Sequence, residues 1–181
     1  MKTKDELRNF FLEKGRYDSM SPNLPNVSDI LFFLEEAKSP IIGSYVPSGS
    51  HEIDVADLNQ KMIDSNIALA LPVLHEEEIH FQLCDDLSTL EKSKLGFLQP
   101  VYNPDAIVEP TIYFVPGVAF DKEGGRLGRG KGHYDRFFSG VSTKSFKIGV
   151  THRDNLLKKL TLEEHDVRMD ALLTQDGLIK I

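Results

Sequence analysis

The sequence contains one cysteine, Cys84, so no intrachain disulfide can form and a secreted disulfide scaffold is excluded. No apolar run approaches the roughly 18 residues that span a bilayer. The opening MKTKDELRNF has no apolar stretch behind its charges, which argues against a signal peptide. Positive charge is scarce: 21 Lys and Arg stand against 28 Asp and Glu, a net charge of −7. That balance argues against a general nucleic-acid or membrane-surface role, which needs a positive face. Internal repeats and low-complexity segments are also missing. What remains is an ordinary globular composition over 181 residues, 40% hydrophobic and 27% charged. A chain of this size buries roughly 70% of its unfolded surface and needs no metal or disulfide to hold a core. The expectation is one domain over 1–181, soluble, cytoplasmic and monomeric, with no nucleic-acid or membrane partner.

Apolar spacing predicts strands alternating with helices. Thr3 and Glu6 have capping-box spacing, Leu7, Phe10 and Phe11 share a helical face, and Gly15 is a stop. Ser21 to Asn26 reads as a loop, and Val27, Ile30, Leu31 and Leu34 as a second amphipathic helix. Ile41 to Val46 is a buried strand, about Asp54 to Asp64 a third helix, and Ile67 to Leu71 a strand stopped by Pro72. Ile79 to Leu83 alternates as a half-buried strand does, and Ser88 to Pro104 is polar and irregular. Strands are expected around Pro110 (Ala106 to Val108, Thr111 to Val115), at Lys147 to Val150 and at Ala171 to Thr174. Helices are expected at His133 to Phe138 and Asn155 to Leu162. The alternation means an α/β layered fold with a mostly parallel sheet. Sites in such folds lie at the carboxyl ends of strands, which selects the loops after Val46 and after Val115.

The strongest chemical signal follows the second of these. Residues 124–132 read Gly-Gly-Arg-Leu-Gly-Arg-Gly-Lys-Gly, five glycines with three cations between them. Glycine permits positive φ and close approach of a ligand to the backbone. A run of exposed amides feeding a helix N-terminus makes an anion site. Arg126, Arg129, Lys131 and Arg136 against Asp135 form a positive island in an acidic chain, which suits a small polyanion. The alternative is a flexible surface turn. Gly125, Gly130 and Lys131 fit the P-loop spacing G-x-x-x-x-G-K, but Gly132 stands where that loop needs Ser or Thr for magnesium. Asp135 could reach a magnesium on the same phosphates or serve as a helix N-terminal carboxylate. His51-Glu52-Ile53-Asp54 could bind a donor-rich amine or pterin-type edge, or could cap the third helix. His75 and His80 are five apart, not the four that a zinc helix needs. Cys84 has no activating neighbours and reads as a small apolar residue.

The run Val115-Pro116-Gly117-Val118-Ala119-Phe120-Asp121, followed by Gly125 to Arg136, resembles the signature of the 5-formyltetrahydrofolate cyclo-ligase family, roughly PGxxFD-x-x-G-x-RLG-x-G-x-GYYDR. The likeness extends over nearly the whole chain. Lys4 and Arg8 match a K-x-x-x-R nucleotide contact, and His51 to Val55 is similar to the family's E-I-D/E-T segment. Gly96 to Pro100 matches the stretch before the core strand, and Asp166 and Asp170 match two acidic positions near the end. The resemblance implies a three-layer α/β/α sandwich. It also implies ATP- and magnesium-dependent closure of 5-formyltetrahydrofolate to 5,10-methenyltetrahydrofolate, through a phosphorylated formyl group. By the same likeness ATP would be held by Lys4, Arg8, Arg126, Leu127, Gly128, Arg129, Gly130, Lys131, Gly132, His133 and Tyr134. Glu52 and residues Arg129 to His133 would face the folate, Asp135 and Asp166 would hold magnesium, and Lys131 and Arg129 would be catalytic. Two departures stand out: His133 where the family usually has Tyr, and Val55 where Thr is common. Both bear on substrate preference. Two other readings compete. One is a non-catalytic formylfolate- or nucleotide-binding protein on the same scaffold. The other is a sugar-phosphate isomerase-like enzyme using Glu52 as base.

Overall fold

Five apolar segments form the parallel heart of a sheet. A computed structural model of the chain describes residues 3–14, 24, 30, 40–49, 52–141 and 145–181. In it the five are β1 (Ile41–Gly43), β2 (Ala68–His75), β7 (Ile112–Pro116), β10 (Phe146–Val150) and β12 (Ala171–Thr174). Three antiparallel strands extend them, β3 (Glu78–Leu83), β6 (Ile107–Val108) and β13 (Gly177–Lys180). The order across the sheet is β13-β12-β10-β7-β1-β2-β3-β6. Taken in chain order, the five parallel strands lie second, first, third, fourth, fifth. That is a doubly wound arrangement, and its winding reverses between β1 and β7.

The strands are apolar on both faces because both faces are covered. On one face Ile42, Leu69, Leu71, Phe114, Ile148, Val150, Ala171 and Leu173 pack with Leu58 and Met62 of α2 (Ala56–Asp64). On the other Ala70, Tyr113, Val115 and Leu172 pack with Phe138 of α3 (His133–Gly140) and with Phe120. The layers are therefore α/β/α, as the resemblance implied. A second, three-stranded sheet, β11-β8-β9, is built from β8 (Ala119–Asp121), β9 (Arg126–Leu127) and β11 (Leu156–Leu157). Helix α1 (Lys4–Lys14) lies against it through Leu7 and Phe11. A short hairpin, β4 (Glu91–Lys92) with β5 (Leu98–Gln99), completes the described elements.

The capping box forms: Thr3 N donates to Glu6 Oε2 at 2.7 Å and Glu6 N to Thr3 Oγ1 at 3.2 Å. Phe10 does not join the inward face. It is 45% exposed while Phe11 is 4% exposed, because the narrow sheet covers only the i, i+4 stripe of Leu7 and Phe11. Pro72 does not end its strand. Ala70 turns its carbonyl to Ser44 N on the β1 side. Pro72 faces that side too, where β1 has already stopped, so its missing N–H costs no ladder bond. The helix expected at Asn155 to Leu162 is instead a turn (Arg153–Asn155) leading into β11. There Leu156 and Leu157 pair in parallel with Phe120 and Asp121. Strand β13, after a tight turn at Gln175–Asp176, and the β8–β9 pair had no counterpart in the sequence reading. The expected Gly15 stop, the Ser21–Asn26 loop and the Val27–Leu34 helix lie outside the described residues, apart from Leu24 and Ile30.

Phe120 fixes the small sheet to the large one by lying across Gly149 of β10. A Cβ at Gly149 would sit 2.4 Å from Phe120 Cε1 and 2.9 Å from Leu172 Cδ2. Gly149→Ala is expected to cost about 1–3 kcal/mol by overpacking, read as a lowered urea midpoint. An unchanged midpoint would mean that Phe120 is not held in place.

Candidate active site

At the reversal point the loops leaving β1 and β7 diverge, and a cavity of about 580 Å³ opens between them. Both loops selected from the sequence line it.

On the β1 side, Tyr45 pins the loop. Its hydroxyl donates to Ile53 O at 2.8 Å, and its carbonyl accepts from Asn59 Nδ2 at 2.9 Å. Glu52 turns into the cavity with its side chain 8% exposed. Its Oε2 accepts from Ser48 N at 2.8 Å and Ser48 Oγ at 3.2 Å, and its Oε1 lies 3.6 Å from Arg129 Nη2. The open question at Glu52 thus divides between two residues. Asp54 is the one that caps α2, by accepting from Ala56 N, while Glu52 faces the cavity. His51 lies outside the described residues. Val55 is buried in the same core cluster as Leu58 and does not line the cavity, so a hydroxyl at this position would not face it.

On the β7 side, the turn is organised by Asp121. This carboxylate is 1% exposed. Its Oδ1 accepts from Glu123 N and Gly125 N, and its Oδ2 accepts from Leu160 N at 2.6 Å. Gly124 takes φ +82°, and a Cβ at Gly125 would lie 2.7 Å from Asp121 Oδ2. The chain therefore folds back and delivers Arg126 beneath the cavity floor. Arg126 Nη2 donates to Asp135 Oδ2 at 2.7 Å, its Nη1 reaches Pro116 O at 3.5 Å, and its Cζ stands 5.4 Å from the Tyr134 ring centroid. Its Nε is buried without a partner among the described residues. Leu127 points into the cluster under α1. Gly128 O accepts from Arg8 Nε at 3.0 Å. Gly130 and Gly132 both take left-handed φ, +87° and +66°, and Gly132 is the N-cap of α3.

The third wall comes from α1 and the segment before β12. Lys4 Nζ contacts Asp166 Oδ2 at 2.5 Å and Glu163 Oε1 at 3.0 Å, and Arg8 Nη1 pairs with Asp5. Burial works against the Asp166 charge, but hydrogen bonds from Lys4 and Glu163 N outweigh it and hold its pKa below the usual carboxylate range. Burial also pushes the Tyr134 hydroxyl well up, with Glu52 adding to it. Burial lowers the pKa of His133, with Arg136 and Lys131 in support, which favours the neutral ring. Asp170 lies elsewhere, bound to the Lys147 backbone and ammonium. The hairpin tip Leu95-Gly96-Phe97 closes one side of the cavity. The polar reading of 88–104 missed that wall, for which the Leu95–Leu98 apolar cluster was the available signal. His75 and His80 lie on the β2–β3 hairpin, where His75 stacks on Tyr102 at 3.8 Å.

Five cations and four carboxylates line the cavity. Lys4, Arg8, Arg126 and Arg129 each have a carboxylate partner. Lys131 makes no ion pair among the described residues. Asp135 and Asp166 each spend Oδ2 on a cation, and the Oδ1 of each accepts no hydrogen bond from a described residue. No three His, Cys, Asp or Glu side chains gather as a metal cluster among the described residues. Each of these two oxygens is of the hard type that magnesium takes, with phosphate and water as its usual further ligands.

Comparison with known proteins points one way. The model of the 5-formyltetrahydrofolate cyclo-ligase family matches residues 2–175. The chain is 32% identical to a 5-formyltetrahydrofolate cyclo-ligase of Haemophilus influenzae over 79% of its length and 80% of the relative's. It is 31% identical to one of Mycolicibacterium smegmatis over 72% and 71%. The NMR structure of a 5,10-methenyltetrahydrofolate synthetase of Aquifex aeolicus superposes with a TM-score of 0.81 at 29% identity, covering 98% of this chain and 92% of that one.

The Arg126–Asp135 contact generates a stability prediction. Arg126→Met strands a largely buried carboxylate and is expected to cost about 3 kcal/mol in urea unfolding. Adding Asp135→Asn should recover part of that loss. If the single variant unfolds like the parent, Arg126 is not the strut its contacts describe.

Proposed function

The chain belongs to the 5-formyltetrahydrofolate cyclo-ligase family and is a ligase, and from that premise we propose that it uses ATP and magnesium to close 5-formyltetrahydrofolate to 5,10-methenyltetrahydrofolate. The observation that carries this reading is the pairing of two chemistries in one cavity. An acceptor carboxylate, Glu52, stands at the β1 side, and an anion-binding loop with Lys131 heads α3 at the other.

The formyl oxygen, made nucleophilic by the neighbouring N5 lone pair, attacks the γ-phosphorus, and the bond to ADP breaks. N10 then attacks the formyl carbon and loses its proton. Phosphate leaves with the former formyl oxygen, and the N5–carbon–N10 bridge is complete. Such transfers depend on positioning and charge stabilisation more than on covalent help from the protein. Glu52 orients the pterin edge by accepting its N–H groups. The amides at Gly130 to His133 and the ammonium of Lys131 receive the phosphates. Arg129 adds a forked donor toward the transferring group. Lys4 and Arg8 reach the nucleotide from α1. Arg126 acts from below, aiming Asp135 and backing Tyr134. Asp135 and Asp166 would hold magnesium, which when bound would neutralise phosphate charge.

The reading predicts a rise in methenyltetrahydrofolate absorbance in the near ultraviolet that requires both ATP and magnesium and stops on chelation. Lys131→Ala is expected to lower turnover by about 100-fold or more without moving the unfolding midpoint. Formylfolate binding with no ATP consumption would instead favour a storage or sensing protein on this scaffold.

A further inference from the structure

The carboxylate at the pterin end of the cavity and the guanidinium at its phosphate end are each other's partners. Glu52 leaves β1 and Arg129 follows β9, so their contact bridges the two loops that diverge at the reversal of the sheet. We propose that this ion pair couples the two halves of the cavity, so that formylfolate and nucleotide bind with positive cooperativity. The inference rests on the functional reading above, because it needs a donor-rich ring at Glu52 and a phosphate at Arg129.

The two oxygens of Glu52 have different tasks. Oε2 is taken by the Ser48 N–H and hydroxyl, which anchor the carboxylate within its loop. Oε1 faces Arg129. A ring presenting N–H donors at Glu52 competes for Oε1, so its arrival takes that oxygen from Arg129. Phosphate oxygens offer Arg129 two parallel acceptors in return for one carboxylate contact. Whichever ligand arrives first must break the pair; the second no longer has to. That difference is the coupling, and linkage makes it equal in both directions.

The local structure suits an exchange at this pair and not at its neighbours. Glu52 is nearly buried, with the raised Tyr45 and Tyr134 hydroxyls marking its poorly solvated surroundings. Leaving it without a cation therefore costs more than at a surface. Arg129 is 39% exposed and lies between Gly128 and Gly130, the latter at φ +87°, so its side chain has room to turn. The separation of 3.6 Å is the longest of the carboxylate contacts made by lysines and arginines lining the cavity. By contrast, Arg126 is locked to Asp135 by a 2.7 Å hydrogen bond, with its side chain 6% exposed against 39% for Arg129.

The test is calorimetric titration of a non-hydrolysable ATP analogue with magnesium, without and with saturating 5-formyltetrahydrofolate. The wild-type protein should bind the analogue about 5-fold or more tightly when folate is present. Glu52→Gln should bind it more tightly than wild type in the absence of folate, because the contact between the two charges no longer has to be broken, and the folate effect should fall to one. Arg129→Met, at a partly exposed position that folding tolerates, should also reduce the factor to one whatever its basal affinity. A wild-type factor of one, or a factor that survives both substitutions, overturns the proposal. Turnover by the same wild-type preparation separates the two ideas. Product formed without coupling sinks only the exchange, whereas no analogue binding and no product sink both.

Discussion

One buried carboxylate organises most of what surrounds the cavity. Asp121 closes the turn at Glu123–Gly125 through two backbone N–H groups and reaches Leu160 N with its other oxygen. Hydrogen bonds to a charged acceptor contribute about 1.5–3 kcal/mol each, and here they join segments 39 residues apart in sequence. The turn sends Arg126 under Pro116. The Leu160 contact holds the segment that continues to Glu163 and Asp166, where Lys4 docks. The floor, the glycine loop and the α1 wall thus share one anchor. Asp121 itself does not line the cavity.

The second constraint is charge. A site proposed to take phosphates in an acidic chain must gather cations without repelling itself apart or losing the fold. This cavity solves that by pairing four of its five cations with carboxylates. The pairs are graded. Arg126–Asp135 is close and hidden, so it behaves as structure. Lys4–Asp166 is close, with the lysine more exposed than Arg126. Glu52–Arg129 is long and partly exposed, so it is the most readily exchanged. Lys131 stands outside the scheme, on a loop whose φ values only glycines adopt without strain. Preorganised donors are most effective where they need not first release a partner, and under the proposed function that condition suits Lys131, which makes no ion pair among the described residues, to the transferring phosphate.

Features governed by near neighbours were legible in the sequence. The capping box at Thr3 and Glu6, the glycine loop, the start of α3 at His133 and the parallel strands all follow from spacing within a few residues. The two candidate loops followed from a topological rule and both line the cavity. Features governed by distant partners were not legible. Asn155 to Leu162 has helical apolar spacing, but Asn155 Nδ2 is claimed by Val118 O, Leu156–Leu157 pair with β8, and Leu160 N is claimed by Asp121. Pro72 reads as a stop because its neighbour strand's early end is invisible in one dimension. Arg126 lines the cavity at only 8% exposure, and that burial was not legible because sequence records charge alone.

The same distinction resolves the two departures from the family signature. Val55 sits among core side chains, where a methyl in place of a hydroxyl removes a polar group that would need a buried partner. The change favours packing and leaves the cavity surface alone. His133 is different, because it borders the cavity and also a second hollow of about 510 Å³ formed with Ile79, Arg136 and Phe137. Its ring keeps a flat face, and burial beside Arg136 and Lys131 keeps it uncharged. The substitution thus changes which polar edge is offered between the two hollows without adding a charge to the phosphate loop. Of the two departures, His133 alone is placed to alter what the cavity accepts.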